Sequence, residues 1–528
     1  MSFWSDMTNE INYTTTENGA VALRSTGNTL LDAFGRLGAM RTSSEEEIIH
    51  VFSKAFNYDP EKAMRLLFYM RDIRGGQGAR RVFRVILQWL AVFHPTYVTH
   101  NFENIAFFGR YDDAWCLLDS NLKEPLCDWI YHTLSNDRQL KRENKPCSLL
   151  AKWLPSENTS SAQTRRYAAI IRQRVFLTPR NYRKLLTELR TYIKVVEQKM
   201  SANKWNEINY EDVPGTASIR YNRAFLSHDG ERYSKYLVDA YRGKVNVNAK
   251  ALFPVDIIHK IFNDFQPNKS LYPNHLLLQA MWENLPNYFE EKEETGICVV
   301  DTSGSMRGTP LEVAVSLGLY CADKCRGPFA GKFITFSNHP ILQQINGESI
   351  VDKAYALSTA DWEMNTDLEA VFNLILKTAL RNHTPAKDMP QKLYIISDMQ
   401  FDQARGVYTN SFQARCAHND TFMYTMKTKY ARAGYAMPSI VYWNVRDSKC
   451  GMFQDTFGGE NCCMVSGYSP SLFKSVIDGT RYEEERVVDN STHKVVTVKK
   501  AVVDPMSVML AAIMNERYDR VWVGQAKN

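Results

Sequence analysis

The chain has 528 residues, 44% hydrophobic and 23% charged, with a formal net charge of +6. That length exceeds one ordinary hydrophobic core and implies two or three domains, and the composition excludes a disordered or fibrous chain. No uninterrupted apolar run reaches the roughly 18 residues of a membrane span, and Met1-Ser2-Phe3-Trp4-Ser5-Asp6 lacks the basic-then-apolar start of a secretory signal. A cytoplasmic protein is therefore expected, or a virion component if the source is viral.

Ten cysteines are scattered. Cys321 and Cys325 lie four apart on a helical pattern and Cys462-Cys463 are adjacent. Neither fits a zinc framework, so reduced, buried thiols are expected. Asn12-Tyr13-Thr14 and Asn158-Thr159-Ser160 fit a glycosylation pattern that, without a secretory signal, reads as accidental. Charge is uneven. Residues 1–290 carry 38 Lys+Arg against 31 Asp+Glu (+7), residues 291–528 carry 26 against 27 (−1), and residues 151–250 alone carry 19 against 9 (+10). Two readings stand: an electrostatic footprint for nucleic acid, or the solvated face of long helices.

Residues 1–30 are polar and read as an extended arm, which could pack on the C-terminal domain. From Asn28 the pattern is helical. Ser43 or Ser44 caps a helix opening with Glu45-Glu46-Glu47, and Asp59-Pro60 opens another that stops at Gly75-Gly76. Helical patterns follow at 79–93, 97–108, 111–118, 124–135, 146–153, 164–176, 178–200, 219–242, 249–264 and 272–286. Short helices with short turns and no clean internal repeat predict an irregular α-helical repeat domain over 31–290.

After the charged linker Glu290-Glu291-Lys292-Glu293-Glu294 the period changes. Strands are predicted at 296–300, 331–336, 348–355, 392–397, 438–443 and 462–466, with helices at 310–325, 367–380 and 470–477, and a helix plus loop within 402–436. Alternating strands and helices predict an α/β doubly wound sheet over 291–480. Residues 481–528 read as a C-terminal hairpin (487–503) and an apolar helix (506–514) packing on one of the two domains.

The first strand ends in Asp301-Thr302-Ser303-Gly304-Ser305, the strand at 392–397 ends in Ser397-Asp398, and Asn365-Thr366-Asp367 precedes the helix between them. Oxygen-only ligands at the carboxyl ends of buried strands suit a hard divalent cation, and open α/β sheets bind ligands at those ends. By itself Asp-x-Ser-x-Ser also reads as a polar turn capping a helix. Asp301, Ser303, Ser305, Thr366 and Asp398 together resemble the metal-ion-dependent adhesion site of von Willebrand factor A domains. The resemblance implies Mg2+, with Mn2+ or Ca2+ as alternatives. It also implies that Ser303 and Ser305 bind directly, that Thr366 is a switchable ligand, that Asp301 and Asp398 act through water, and that a partner's carboxylate or phosphate completes the shell. No phosphate loop of the Gly-x-x-x-x-Gly-Lys type and no nucleophile–base pair is seen, so binding rather than turnover is expected.

Several strings of the first half resemble a family labelled domain of unknown function 2828: Thr16-Glu17-Asn18-Gly19-Ala20, Leu67 to Gly76, Phe108 to Asp113, Ala151 to Ser156 and Lys199-Met200-Ser201-Ala202. The layout is also similar to that of TROVE-module proteins of the Ro ribonucleoprotein type. These join HEAT-like helical repeats to an A domain and bind small non-coding or structured RNA. That resemblance implies a non-enzymatic RNA-binding protein. The alternative is a metal-dependent protein-interaction or assembly scaffold. Candidate phosphate contacts are Arg71, Arg74, Arg80 and Arg81 beside Gly75, Gly76 and Gly78, then Lys152, Arg165, Arg166, Arg172, Arg183, Lys184, Arg190 and Lys194. For the Arg71–Asp72 turn, an Arg–Asp pair fixing two helices is the competing reading. For Lys152-Trp153, base stacking competes with ordinary core packing.

Overall fold

The computed structural model describes residues 12–15, 21–264, 272–290, 295–335, 340–358, 368–401, 424–447, 461–488 and 494–524. The chain is multidomain, with a helical N-terminal part and a C-terminal mixed sheet region. It forms two compact units, residues 1–59 with 252–515 and residues 60–251 with 516–528. This partition runs differently from the sequence division at 30, 290 and 480, because the first helices pack with the sheet.

In the sheet unit, β1 (Tyr13–Thr15) and β2 (Val21–Leu23) make a short antiparallel hairpin. Ala22 joins the same buried cluster as Ile297, Val299 and Leu393 of the main sheet, so part of the polar arm is packed on that sheet. The sheet consists of β3 (Gly296–Val300), β4 (Lys332–Thr335), β5 (Ile341–Gln344), β6 (Lys392–Ser397), β7 (Ser439–Asn444) and β8 (Cys462–Ser466). Its order is β5-β4-β3-β6-β7-β8, parallel except for the antiparallel edge pair β4/β5.

Every residue of β3, β6, β7 and β8 is buried, as parallel strands covered on both faces require. Alternate side chains go to opposite faces. Ile297, Val299, Leu393 and Ile395 pack with Val371, Phe372 and Ile375 of the helix Leu368–Arg381. On the other face, Gly318 of the helix Thr309–Lys324 lies against Val300, and Phe473 packs on Tyr394 and Trp443 with ring centroids 4.9 and 4.7 Å apart. The C-terminal hairpin is β9 (Thr480–Val488) paired with β10 (Val495–Val503), followed by the helix Pro505–Ile513.

One predicted strand, 348–355, is instead the helix Ile350–Ser358. Ser349 and Asp352 cap it reciprocally, the Asp352 N–H donating to Ser349 Oγ (3.1 Å) and the Ser349 N–H to Asp352 Oδ2 (3.0 Å). This capping box outweighs the β-branched pair Ile350-Val351. The real edge strand, β5, was not expected from the sequence. Of the connection 402–436, residues 402–423 lie outside the described residues.

The helical unit contains the helices Pro60–Arg71, Arg80–Phe93, Pro95–Thr99, Phe102–Phe108, Lys123–Arg142, Leu150–Trp153, Ala162–Arg174, Pro179–Tyr192, Val196–Ser201 and Gly215–Tyr241, with a 3-10 turn at Tyr111–Asp119. Its hub is Asp113, wholly buried. It accepts from Arg71 Nε (2.7 Å), Arg80 Nε (2.7 Å), Arg84 Nε (3.1 Å) and the Arg110 N–H (2.9 Å). Burial alone would raise this carboxyl, but Arg71, Arg80 and Arg84 hold it below its ordinary value. Gly109 is required there: a Cβ would stand 2.5 Å from Asp113 Oδ2 and 2.7 Å from Arg71 Nε. Residues 516–524 pack in this unit, Arg517 and Tyr518 donating to Asp72 and Arg65 pairing with Asp519 at 2.9 Å.

Candidate metal centre

Renumbered along the sheet, the order β5-β4-β3-β6-β7-β8 reads 3-2-1-4-5-6, and the direction of winding reverses between β3 and β6. In an open parallel sheet this reversal leaves a crevice at the carboxyl ends of those two strands. Asp301 follows β3 and Asp398 follows β6, so both acids stand at the reversal, and both are buried. The Asp301 N–H donates to Ile396 O at 3.0 Å, continuing the ladder to the edge.

The loop after β3 folds back on its first acid. The Ser303 N–H donates to Asp301 Oδ1 at 2.9 Å, and Ser397 Oγ donates to Asp301 Oδ2. Ser303 Oγ and Ser305 Oγ lie 3.0 Å apart, with Ser305 exposed and Ser303 half-buried. Burial, and then the neighbouring charge of Asp398, push the Asp301 carboxyl up to about 6. Two mutually repelling buried carboxylates next to two hydroxyls are a donor set that a hard divalent cation relieves. The residues present therefore fit the ion. Among the described residues no group of three or more His, Cys, Asp and Glu side chains is placed to hold one, so a site here rests on two carboxylates and hydroxyls. Thr366, the fifth expected ligand, lies outside the described residues.

Two positions that sequence reading passed over complete the surroundings. Ser397, directly before Asp398, orients Asp301. Arg446, two residues past β7, donates to the Ser305 carbonyl and brings a cation to the mouth of the crevice. Nearby, the helix Thr29–Leu37 ends on the carboxyl edge of β7 and β8. Arg36 grips Asp447 through two bonds of 3.0 and 3.1 Å, and the Gly38 N–H donates to Ser466 Oγ at 3.1 Å. A Cβ at Gly38 would lie 2.2 Å from the Ser466 carbonyl oxygen, so only glycine permits that approach.

The candidate phosphate contacts fall into two groups, with Lys152 between them. Arg71 is buried on Asp113, and Arg80 is bound to Asp113 and Asp112. Arg172 holds Glu157 at 2.7 Å, and Arg190 donates to the carbonyls of Ala151 and Leu154 and to Ser156 Oγ. These guanidiniums are engaged inside the unit, and for Arg71 the structural pairing is with Asp113 rather than with adjacent Asp72. Arg74, Arg81, Arg165, Arg166, Arg183, Lys184 and Lys194 are at the surface. Arg74 donates to Phe107 O (3.3 Å), Arg165 to Thr159 O (2.7 Å), and Arg166 pairs with Asp119. Lys152 is half-buried with its ammonium 5.5 Å from the Trp153 ring centroid.

Fold and site together define a two-unit protein: a helical unit hubbed on a buried carboxylate, and a parallel-sheet unit with paired acids at the winding reversal. Residues 16–112 and 147–294 match the family described as Domain of unknown function (DUF2828), and residues 295–513 match Domain of unknown function (DUF7788). The first match bears out the resemblance read from the sequence. A relative is Uncharacterized protein L728 of Acanthamoeba polyphaga mimivirus, 28% identical over 509 residues that cover 89% of this chain and 86% of the relative. Among the described residues no helix is long and apolar enough to cross a membrane.

Proposed function

We propose that this is a non-enzymatic RNA-binding protein in which a basic helical array of TROVE-like, HEAT-like character is joined to a von Willebrand factor A-type unit that takes Mg2+. The observation that carries the reading is charge segregation. Residues 60–251 with 516–528 hold 35 Lys+Arg against 21 Asp+Glu, a net of +14, while the rest of the chain holds 29 against 37, a net of −8. A unit this basic, with Arg74, Arg81, Arg183, Lys184 and Lys194 at its surface, is the electrostatic partner of a polyanion. Filter binding of a structured and a single-stranded RNA at about 50 and 200 mM salt tests it, because releasing counterions makes phosphate-driven affinity fall by orders of magnitude between those conditions. Failure to bind either RNA at the lower salt sinks the reading.

A second reading, a metal-dependent protein-interaction scaffold, is favoured by one specific feature: the paired acids and hydroxyls open at the sheet edge beside Arg446. Asp301, Ser303, Ser305 and Asp398 would hold the ion, which supplies an electrophilic position for an anionic group of a partner. The cation of Arg446 adds to that preference for an anion. EDTA separates the readings: loss of a protein partner with RNA binding intact supports the scaffold.

A further inference from the structure

A groove of about 550 Å³ opens in the helical unit, away from the residues assigned above. Its wall is aromatic. Phe107 comes from the helix Phe102–Phe108, Tyr111 from the following 3-10 turn, and Trp129, His132 and Asn136 from one face of the helix Lys123–Arg142, at i, i+3 and i+7. Tyr111 and Trp129 stack at 5.6 Å with ring planes 19° apart. Phe107 is 39% exposed, and the guanidinium of Arg520 lies 3.7 Å from its centroid, fixed by Arg520 Nε donating to Asn104 Oδ1 at 2.7 Å.

We infer that this groove receives an unpaired base of a single-stranded nucleic acid. The inference rests on the RNA-binding reading and names where the base is held. A volume of this size suits a planar ring with its sugar. Bases stack on aromatic rings irrespective of sequence, and the Arg520 guanidinium seated over Phe107 adds a cation to the wall. Asn136 offers both donor and acceptor, and Glu103, also in the lining, accepts from exocyclic amino groups. The surrounding unit carries the +14 charge that a phosphate backbone needs to follow the base into the groove. A purely structural aromatic cluster would be closed over; here Phe107, His132, Asn136 and Arg520 are all exposed.

The test uses the full chain and three fluorescent oligonucleotides of one length: single-stranded RNA, the same RNA with abasic positions, and the matching DNA. Anisotropy titrations at low salt give the affinity ratio of base-bearing to abasic RNA. For the wild-type protein that ratio is expected near tenfold. In Trp129→Leu, and in Phe107→Leu, which removes a ring from an exposed position outside the core, it should fall to about one while the salt slope stays unchanged. Equal losses on RNA and DNA support a contact to the base, and a loss confined to RNA supports the base plus its 2′-hydroxyl. If both variants keep the wild-type ratio, the groove is not the base site and RNA binding stands. If the wild-type protein binds no oligonucleotide, both inferences fall together.

Discussion

Asp301 shows how one buried acid sets a pH window. Its carboxyl titrates near 6, above the ordinary carboxylate value, because burial and Asp398 penalise the charged form. The sign follows from linkage. Between about pH 4 and 6 the metal-free folded protein keeps a proton on Asp301 that the unfolded chain has released, so stability falls as pH rises through that window. The full cost, on the order of 3 kcal/mol, is felt above pH 6. Asp301→Asn should therefore raise the melting temperature of EDTA-treated protein at pH 7.5 and, under the metal-centre reading, abolish the further rise expected for the wild type in Mg2+; thermal denaturation with and without Mg2+ reads both. Under the metal-centre reading the ion would displace the same proton, so calorimetry should show Mg2+ affinity climbing roughly tenfold per pH unit below 6 and levelling above it. A flat profile would count against Asp301 as part of the centre.

At the scale of elements, the Asp113 hub ties the Pro60–Arg71 and Arg80–Phe93 helices to the Tyr111–Asp119 turn. Removing one side of a buried ion pair strands the other, at a cost of about 3–5 kcal/mol. Asp113→Asn should thus lower the unfolding midpoint of the helical unit by roughly ten degrees, measured by circular dichroism. Because the folded carboxyl is held below its ordinary value, the stabilisation is present above about pH 4 and lost as pH falls through the folded value. The variant should lose that acid sensitivity. Arg71 and Asp113 stood in quoted motifs, but their pairing was not legible. They are 42 residues apart, and Asp72, adjacent in sequence, looked the better partner. Arg80 and Arg84, four apart on one helix face, were the available hint. At the candidate centre, Asp301, Ser303, Ser305 and Asp398 were legible because strand ends are short-range signals. Ser397 was legible as a strand residue but not as the hydrogen-bond donor to Asp301, which depends on β3/β6 register.

Across the whole molecule, charge is segregated more sharply than along the chain. Sequence halves differ by +7 against −1, but the compact units differ by +14 against −8, because segments 1–59 and 252–290, which fall in the sheet unit, carry more acid than base. Under the RNA-binding reading, reversing the exposed Arg183, Lys184 and Lys194 to Glu should lower the log–log salt slope for single-stranded RNA by about 2, at roughly 0.7 per lost phosphate contact. The melting temperature should hardly change. Reversing Arg190, which holds three groups of its own unit, should show as instability. Filter binding over a salt series, with a melting curve for each variant, separates these outcomes.

The sequence by itself determined the helical and sheet halves, the helix starts at Ser43-Ser44 and at Asp59-Pro60, and the acid–hydroxyl cluster at a strand end. Each depends on residues within a turn or two of one another, where periodicity and capping act directly. Only the tertiary structure decided that residues 29–58 pack with the sheet, that residues 516–524 pack with the helical unit, and which arginines are engaged internally. Those outcomes turn on which surfaces meet across hundreds of residues, and no local pattern encodes that meeting. The paired acids carry both lessons: each was visible at its own strand end, and the 3-2-1-4-5-6 winding brings them to one edge.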